Sequence, residues 1–220
     1  MNSRSVIQFA LSLMTLFAIV IAAYAGGWAV ITVNEFPDHG VAGQPLNLTF
    51  TIRQHGMTLL SGLEPSVRAT APGGLVAKAA AVARREPGVY SAALTLPKPG
   101  DWTITIASGF GVSELTLPTL KVIAPGAATP AAFSPMTKGL RLFTTKGCVG
   151  CHTHIEVKPE RYGADVGGDL TGKRFAPDYL RKFLADPRIK PVDMPNLNLK
   201  PEEIEALAGF INKDFKKRVE

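Results

Sequence analysis

The segment Cys148–His152 contains two thiols separated by two residues and followed directly by an imidazole. Cys-x-x-Cys-His is the spacing at which haem is attached covalently. Each thiol can add to one vinyl group of a porphyrin, while the adjacent histidine meets the iron from the same side. These are the only two cysteines in the 220-residue sequence, so no odd thiol is left over. The motif therefore predicts one covalently bound haem c, held by Cys148 and Cys151 with His152 as an iron ligand.

Two other chemistries use a pair of cysteines at this spacing. A structural zinc site needs a second pair of Cys or His ligands, and only His154 lies close to the motif. A redox-active dithiol does not need the histidine that directly follows Cys151. The sequence therefore favours haem over both alternatives.

Three predicted helices must position this motif. Apolar residues at helical spacing predict a first helix that ends near Gly147, directly before the cysteines. A second helix is predicted over residues 177–186, where a proline ends it. A third begins near Pro201, with acidic residues in its first turn that complement the helix dipole. The loop between the second and third helices carries Met194.

The C-terminal part of the chain resembles the class I c-type cytochromes in the order of its motifs. The matching segments are Gly139 and Phe143, Cys148–His152, Gly167–Gly172, Asp193-Met194-Pro195 and Leu207–Ile211. The resemblance implies a mostly helical domain in which His152 is the proximal and Met194 the distal ligand of the haem iron. A thioether ligand raises the reduction potential relative to a second histidine. His154 is a rival ligand, but it lies only two residues past His152 and cannot comfortably cross to the other haem face.

One departure from the cytochrome pattern concerns the hydrogen bond to the proximal histidine. The family usually has Gly-Pro-x-Leu in the following loop, and the resemblance implies that the proline carbonyl accepts the proton on Nδ1. Gly168 stands at that position here, and its carbonyl can still accept the bond. The residues expected to pack on the haem, or alternatively to form ordinary core, are Leu170, Phe175, Leu180, Phe183 and Leu197.

Residues 28–124 show a different pattern, with short alternating runs between turn residues. The candidate strands are 28–33, 46–53, 66–70, 75–84, 89–96, 102–107 and 112–123. In the second strand Leu48, Phe50 and Ile52 alternate with polar residues, as expected for a strand with one buried face. The pattern predicts an antiparallel β-sandwich of the immunoglobulin type, without an inter-sheet disulfide.

The sandwich region resembles the YtkA-like family of extracytoplasmic domains. The resemblance rests on the segments Thr49–Gly56, Pro87–Tyr90 and Pro99–Ile104. It implies an accessory role at a membrane complex and names no catalytic residue. His39 and His55 are candidate copper ligands by type, although two histidines beside turns are more commonly surface or hydrogen-bonded residues.

The N-terminal segment is apolar enough to enter a membrane. No charged residue occurs between Arg4 and Glu35, and about 20 apolar residues can span a bilayer as a helix. The small residues of Ala23-Tyr24-Ala25 also fit a cleaved signal sequence. The sequence favours an uncleaved anchor over residues 1–27, in contact with the lipid bilayer through residues 5–25. It places the protein in the bacterial cytoplasmic membrane, with its soluble domains on the periplasmic or extracellular side.

The expected architecture is β then α. An N-terminal transmembrane helix is followed by an immunoglobulin-like sandwich (28–124), a linker rich in proline and alanine (125–135) and an all-α cytochrome c domain (136–220). The net charge of +6 is spread thinly, without a basic stripe interleaved with aromatic residues, so nucleic acid is not an expected partner.

The expected function is that of a membrane-tethered, single-haem electron carrier rather than an enzyme. Its expected partners are a respiratory or photosynthetic membrane redox complex, a soluble electron-transfer protein, or both. Two alternatives stay open at this point. One is an assembly or copper-handling accessory factor in which the sandwich is the working domain, and the other is a haem protein with an open sixth site.

Overall fold

β-Strands dominate the chain, for which a computed structural model describes residues 27–157 and 165–213. In chain order, the strands of the first part are β1 (Ala29–Val33), β2 (His39–Val41), β3 (Pro45–Gln54), β4 (Thr58–Leu59), β5 (Ser66–Ala71), β6 (Leu75–Ala80), β7 (Val82–Ala83), β8 (Val89–Thr95), β9 (Gly100–Ala107), β10 (Glu114–Thr116) and β11 (Leu120–Ile123). A five-stranded sheet has the order β1–β3–β8–β7, with β4 paired to β3. A six-stranded sheet has the order β2–β11–β9–β5–β6, with β10 paired to β9. Their facing sides form an immunoglobulin-like sandwich.

Alternation along β3 decides which side of the first sheet is buried. Leu48, Phe50 and Ile52 are completely buried, whereas Thr49 and Arg53 are partly exposed. Burial of large apolar side chains is the main favourable contribution to such a core. The predicted alternation is therefore present except at Thr51, which lies on the other face of the strand and is buried as well.

Two buried aromatic side chains tie loops to the core of the sandwich. The Tyr90 hydroxyl donates to the carbonyl of Leu60 (2.8 Å) and accepts from the amide of Leu63 (3.1 Å). The indole nitrogen of Trp102 donates to the carbonyl of Lys98 (3.0 Å). Each polar atom is thus paired although its ring is buried, which removes the cost of burying it.

Several strand predictions differ from the structure. Residues 112–123, predicted as one strand, divide into β10 and β11, and β4 was not predicted. Residues 39–41, which lie outside the predicted strands, form β2 and pair in parallel with β11. Residues 75–84, predicted as one strand, divide into β6 of one sheet and β7 of the other. Alternation of side chains continues across such a transfer between sheets, so a sequence pattern does not reveal it.

The part of the chain after the sandwich consists of short elements. Residues 125–134 contain neither helix nor strand and are mostly exposed. The helices are α1 (Pro135–Thr145), α2 (Pro177–Ala185) and α3 (Pro201–Ile211), with 3-10 helices at Cys148–Gly150 and Pro187–Ile189. A two-stranded parallel ladder joins β12 (His152–Thr153) to β13 (Gly168–Asp169).

Helices α1 and α3 pack closely because a glycine lies at their contact. A side chain on Gly139 would overlap the carbonyl of Ala206 and approach Phe210. Beside this contact the rings of Phe143 and Phe210 lie 5.5 Å apart between centroids, and both residues are completely buried. The absence of a side chain at Gly139 therefore sets how closely the two helices approach.

The predicted fold class, with an all-α cytochrome c domain after the sandwich, is wrong. Among the described residues 34% are in strands and 21% are helical. The C-terminal part includes the β12–β13 ladder and a bridge between His154 and Val157. Helical spacing is confined to three short segments, and the residues between them form turns and extended pairs. The immunoglobulin-like sandwich is the part of the prediction that is supported.

The predicted membrane anchor over residues 1–27, including its bilayer contact through residues 5–25, lies outside the described residues except for residue 27. None of the helices that are described is long and apolar enough to cross a membrane. This finding does not support the predicted localisation as a single-pass protein of the bacterial cytoplasmic membrane.

Replacing Gly139 with alanine should loosen the α1–α3 contact. We expect Gly139→Ala to lower the free energy of unfolding by about 1–3 kcal/mol, because the added methyl group has no space. Gly209→Ala is the matched control, since Gly209 lies in α3 with open space around it. That change should be neutral or stabilising by up to about 1 kcal/mol, from helix propensity alone. Urea unfolding curves that show the same effect for both variants would contradict the packing argument.

Candidate functional site

A cavity of about 1090 Å³ lies between one end of the sandwich and the C-terminal helices. The sandwich contributes Trp28 and Val30 at the start of β1 and the residues 54–58 around the β3–β4 turn. The other wall comes from the three helices and the loops between them. Its lining is mostly apolar, as is usual for sites that bind organic ligands of this size.

The two cysteines face this cavity from a tight turn. Gly147, with φ of +77°, lies two residues after the end of α1 and is the N-cap of the 3-10 helix Cys148–Gly150. Cys148 and Cys151 both line the cavity and form no disulfide. Burial raises the pKa of the Cys148 thiol to about 12, so this thiol is protonated at neutral pH. A redox-active dithiol requires a thiolate at lower pH, so this environment does not favour that alternative.

His152 lines the same cavity and is oriented by the β12–β13 ladder. Its register partner is Gly168, whose carbonyl oxygen lies 3.3 Å from Nδ1 of the ring. Burial lowers the pKa of His152 and outweighs the opposing effect of this hydrogen bond, so the ring is neutral at neutral pH. When Nδ1 donates to the carbonyl, Nε2 keeps a lone pair and can act as a ligand.

The remaining predicted site residues come from separate loops. Leu170 follows β13 and Met194 follows the second 3-10 helix, and both line the cavity. Phe175, Leu180, Phe183 and Leu197 line it as well. The fold thus brings Cys148, Cys151, His152, Leu170 and Met194 around one space, with the carbonyl of Gly168 behind the imidazole. Their roles toward a haem stay predictions.

The other histidines are placed differently. His154 is buried with its ring 4.4 Å from that of Phe210, and its Nδ1 accepts from the amide of Glu156 (3.2 Å). His55 lines the cavity, whereas His39 lies on β2 in the other sheet. Within residues 27–157 and 165–213, no group of three or more His, Cys, Asp or Glu side chains could hold a metal ion. The two candidate copper ligands are therefore not joined into such a cluster.

A buried ion pair seats the cysteine segment on the sandwich. The ammonium of Lys146 lies 2.8 Å from the Glu203 carboxylate and donates to the carbonyl of Asn34 at 2.7 Å. The two charged side chains are only 8% and 12% exposed. Next to them, a side chain on Gly147 would meet the carbonyl oxygen of Ile31 at 2.6 Å. The turn before Cys148 is thus held directly against β1.

Arg141 makes a second connection to the sandwich. Its guanidinium donates to the carbonyls of Thr119 (3.0 Å) and Pro37 (3.2 Å), and its centre lies 4.4 Å from the ring centroid of Phe133. Burial lowers the pKa of Arg141, although an arginine remains charged at any physiological pH. With Lys146, it gives α1 two cationic anchors on the sandwich.

Sequence reasoning missed the sandwich side of the site. Trp28, the turn around His55 and the Lys146–Glu203 pair carry no motif of their own. A lysine directly before a cysteine turn, or a tryptophan at the start of a strand, has many structural uses. Their contribution depends on contacts between residues far apart in the chain, and no local spacing reports such contacts.

Comparisons with known proteins give no family. No family model matches the chain, and no curated protein matches it. Similar solved structures include the filamin domain of Lin-41, at 14% identity over 45% of this chain and 98% of that chain, with a TM-score of 0.38. Domains 4 and 5 of the S-layer protein SbsC match at 19% identity over 43% of this chain and 51% of that chain, with a TM-score of 0.31. The PKD domain of human VPS10 domain-containing receptor SorCS2 matches at 14% identity over 47% of this chain and 78% of that chain, with a TM-score of 0.25. TM-scores of this size establish no relationship.

The predicted family memberships are wrong by these findings. No family model supports a class I c-type cytochrome over residues 136–220 or a YtkA-like domain over residues 28–124, and the described chain is mostly β. The same findings overturn the predicted function, an electron-transfer cytochrome tethered to a membrane complex. The order of short motifs predicts an independent helical domain, whereas the described helices are short and pack on the sandwich.

Removing Lys146 should destabilise the protein strongly. Lys146→Met leaves the Glu203 carboxylate buried without its cation, which typically costs about 3–5 kcal/mol. Lys200→Met is the matched control, because it breaks the exposed Lys200–Glu35 pair (2.7 Å), and such pairs contribute about 0–1 kcal/mol. Chemical unfolding of both variants measures the difference. Equal losses would show that the buried pair contributes no more to stability than the exposed one.

Proposed function

We propose that the protein is a haem-carrying accessory factor in which the β-sandwich is a working part of the site. In this proposal Cys148 and Cys151 hold one haem c through thioether bonds, and His152 is an iron ligand. The observation that carries the proposal is the common cavity, which is lined by Cys148, Cys151, His152 and Met194.

The volume and lining of the cavity support this cofactor. A volume of about 1090 Å³ lies just above the range of most small-molecule sites, which usually measure about 300–1,000 Å³. Its walls are mainly aliphatic and aromatic, as a largely apolar macrocycle requires. The porphyrin supplies four nitrogen ligands, so the protein needs to add only one or two. The lack of a larger His/Cys/Asp/Glu cluster in the described residues is compatible with haem, although it disfavours a metal held by the protein alone.

Cys148 and Cys151 form no disulfide, so both thiols are available for covalent attachment. A thioether forms when a thiol adds across a vinyl group, and each of the two cysteines supplies one such thiol.

Met194 either is a ligand of the haem iron or is not, and the two cases have different functions. With Met194 as a second protein ligand, a bound haem would supply electron transfer alone; without Met194 as a ligand, it would also supply a site for a small ligand. The predicted partners and the absence of catalysis stay predictions.

Covalent attachment is tested by intact mass and absorption spectra of the protein purified from a host that matures c-type haem. We expect the mass of the chain plus one haem, with the haem retained after denaturation. Cys148→Ala and Cys151→Ala should each leave a single thioether, and the double variant should leave none. A folded chain that lacks a tetrapyrrole under these conditions would refute the proposed function.

The sixth position is tested by carbon monoxide binding to the reduced protein. If Met194 is a ligand, the unaltered protein should bind CO slowly, and Met194→Ala should bind it at least about tenfold faster, because an open position needs no ligand exchange. Met136→Ala is the control, since Met136 packs against the core but does not line the cavity. Rapid binding by all three proteins would show that the position is open in the native state.

A further inference from the structure

The indole N–H of Trp28 is a buried donor that finds no hydrogen-bond acceptor among the described residues. Trp28 lines the cavity from the sandwich side. Buried polar groups almost always have a partner, and an unpaired one costs about 1–3 kcal/mol. An acceptor on a molecule inside the cavity would remove this cost.

The surroundings of Trp28 fix the position of this donor. Its carbonyl accepts from the amide of His55 (2.9 Å), and the two rings lie 4.5 Å apart between centroids. On the other side, the amide of Ala29 donates to the Ser113 hydroxyl (2.9 Å). The backbone at Trp28 and Ala29 is therefore held by residues that follow β3 and precede β10, and the ring packs on His55, so little conformational freedom remains to be lost on binding.

The turn that carries His55 also reaches the predicted attachment point. A side chain on Gly56 would lie 3.7 Å from the sulfur of Cys151 and 3.9 Å from Cδ of Pro195, which follows Met194. The sandwich thus touches the cysteine and the methionine loop at once. A ligand attached to Cys151 would lie against this turn and against Trp28.

We propose that Trp28 donates its indole N–H to a carboxylate of the bound tetrapyrrole. This inference rests on the proposed function, because the ligand it names is the haem. A haem carries two carboxylates on a periphery that is otherwise apolar, so a carboxylate is the strong acceptor that it can offer to a fixed N–H donor. Hydrogen bonds to a charged acceptor are about twice as strong as those between neutral groups. The sandwich then recognises the acidic edge of the ligand, while the helical part holds the iron.

The test compares haemin with its dimethyl ester, which has the same ring but no free carboxylate. Both are titrated into the full-length Cys148→Ala/Cys151→Ala chain, where binding is non-covalent, with and without Trp28→Phe. We expect haemin to bind more tightly than the ester, and Trp28→Phe to weaken haemin binding by about tenfold. Binding of the ester should change much less. The ester serves as the control for the smaller ring of phenylalanine, because that loss of packing affects both ligands equally.

A second measurement uses the native protein with its attached haem. A hydrogen bond from Trp28 favours the charged carboxylate and lowers its pKa. The pH-dependent step in the haem spectrum should therefore move to higher pH in Trp28→Phe, and thermal melting should confirm that the variant is folded. This measurement does not depend on the folding of the double cysteine variant.

The outcomes separate this inference from the proposed function. Equal weakening of haemin and ester, together with an unchanged pH profile, would overturn the role of Trp28 and leave haem attachment in place. A native chain without any tetrapyrrole would overturn the proposed function and the inference with it.

Discussion

The contact between Gly147 and the backbone of β1 determines where the cysteines can lie. Gly147 adopts φ of +77° and has no side chain, so the turn approaches the carbonyl oxygen of Ile31 more closely than any other residue could. A positive φ also costs other residues roughly 1–2 kcal/mol. Cys148 follows directly. The position of the motif, and with it the open side of the cavity, is therefore fixed relative to the first strand of the sandwich rather than to the helices alone.

Charged side chains secure this contact at the ends of the strands. Backbone carbonyls outside the strands lack partners in the sheet ladder, and three of them accept from cations in or directly after α1. Asn34 accepts from Lys146, and Pro37 and Thr119 accept from Arg141. Glu203 brings α3 to the same place through Lys146. Buried ion pairs add little net stability compared with apolar contacts, but they are satisfied in one arrangement only. They thus select how the helices sit on the sandwich.

Local patterns predicted the elements better than their arrangement. The alternation of Leu48, Phe50 and Ile52 predicted a one-sided strand, and the second helix, predicted over 177–186, is found at Pro177–Ala185. The short strand β2 was not predicted, because its pairing partner, β11, lies far away in the sequence. The extended proline- and alanine-rich residues before α1 carry no periodicity that could indicate how the helices pack. The family resemblance failed for a related reason, since it rested on the order of motifs and not on their packing.

The sequence likewise predicted only the part of the candidate site that lies within one short motif. Cys148, Cys151 and His152 were found from sequence because their proposed joint chemistry depends on spacing within five consecutive positions. Trp28 was not found, because it lies in another part of the chain and acquires a role only when the sandwich meets the helices. Since Trp28, Val30 and the His55 turn form one wall, the apolar opposite wall would face water if the helical part stood alone. Exposure of such a surface is unfavourable, so the cavity is a property of the packed sandwich and helices together, and its ligand must fit both.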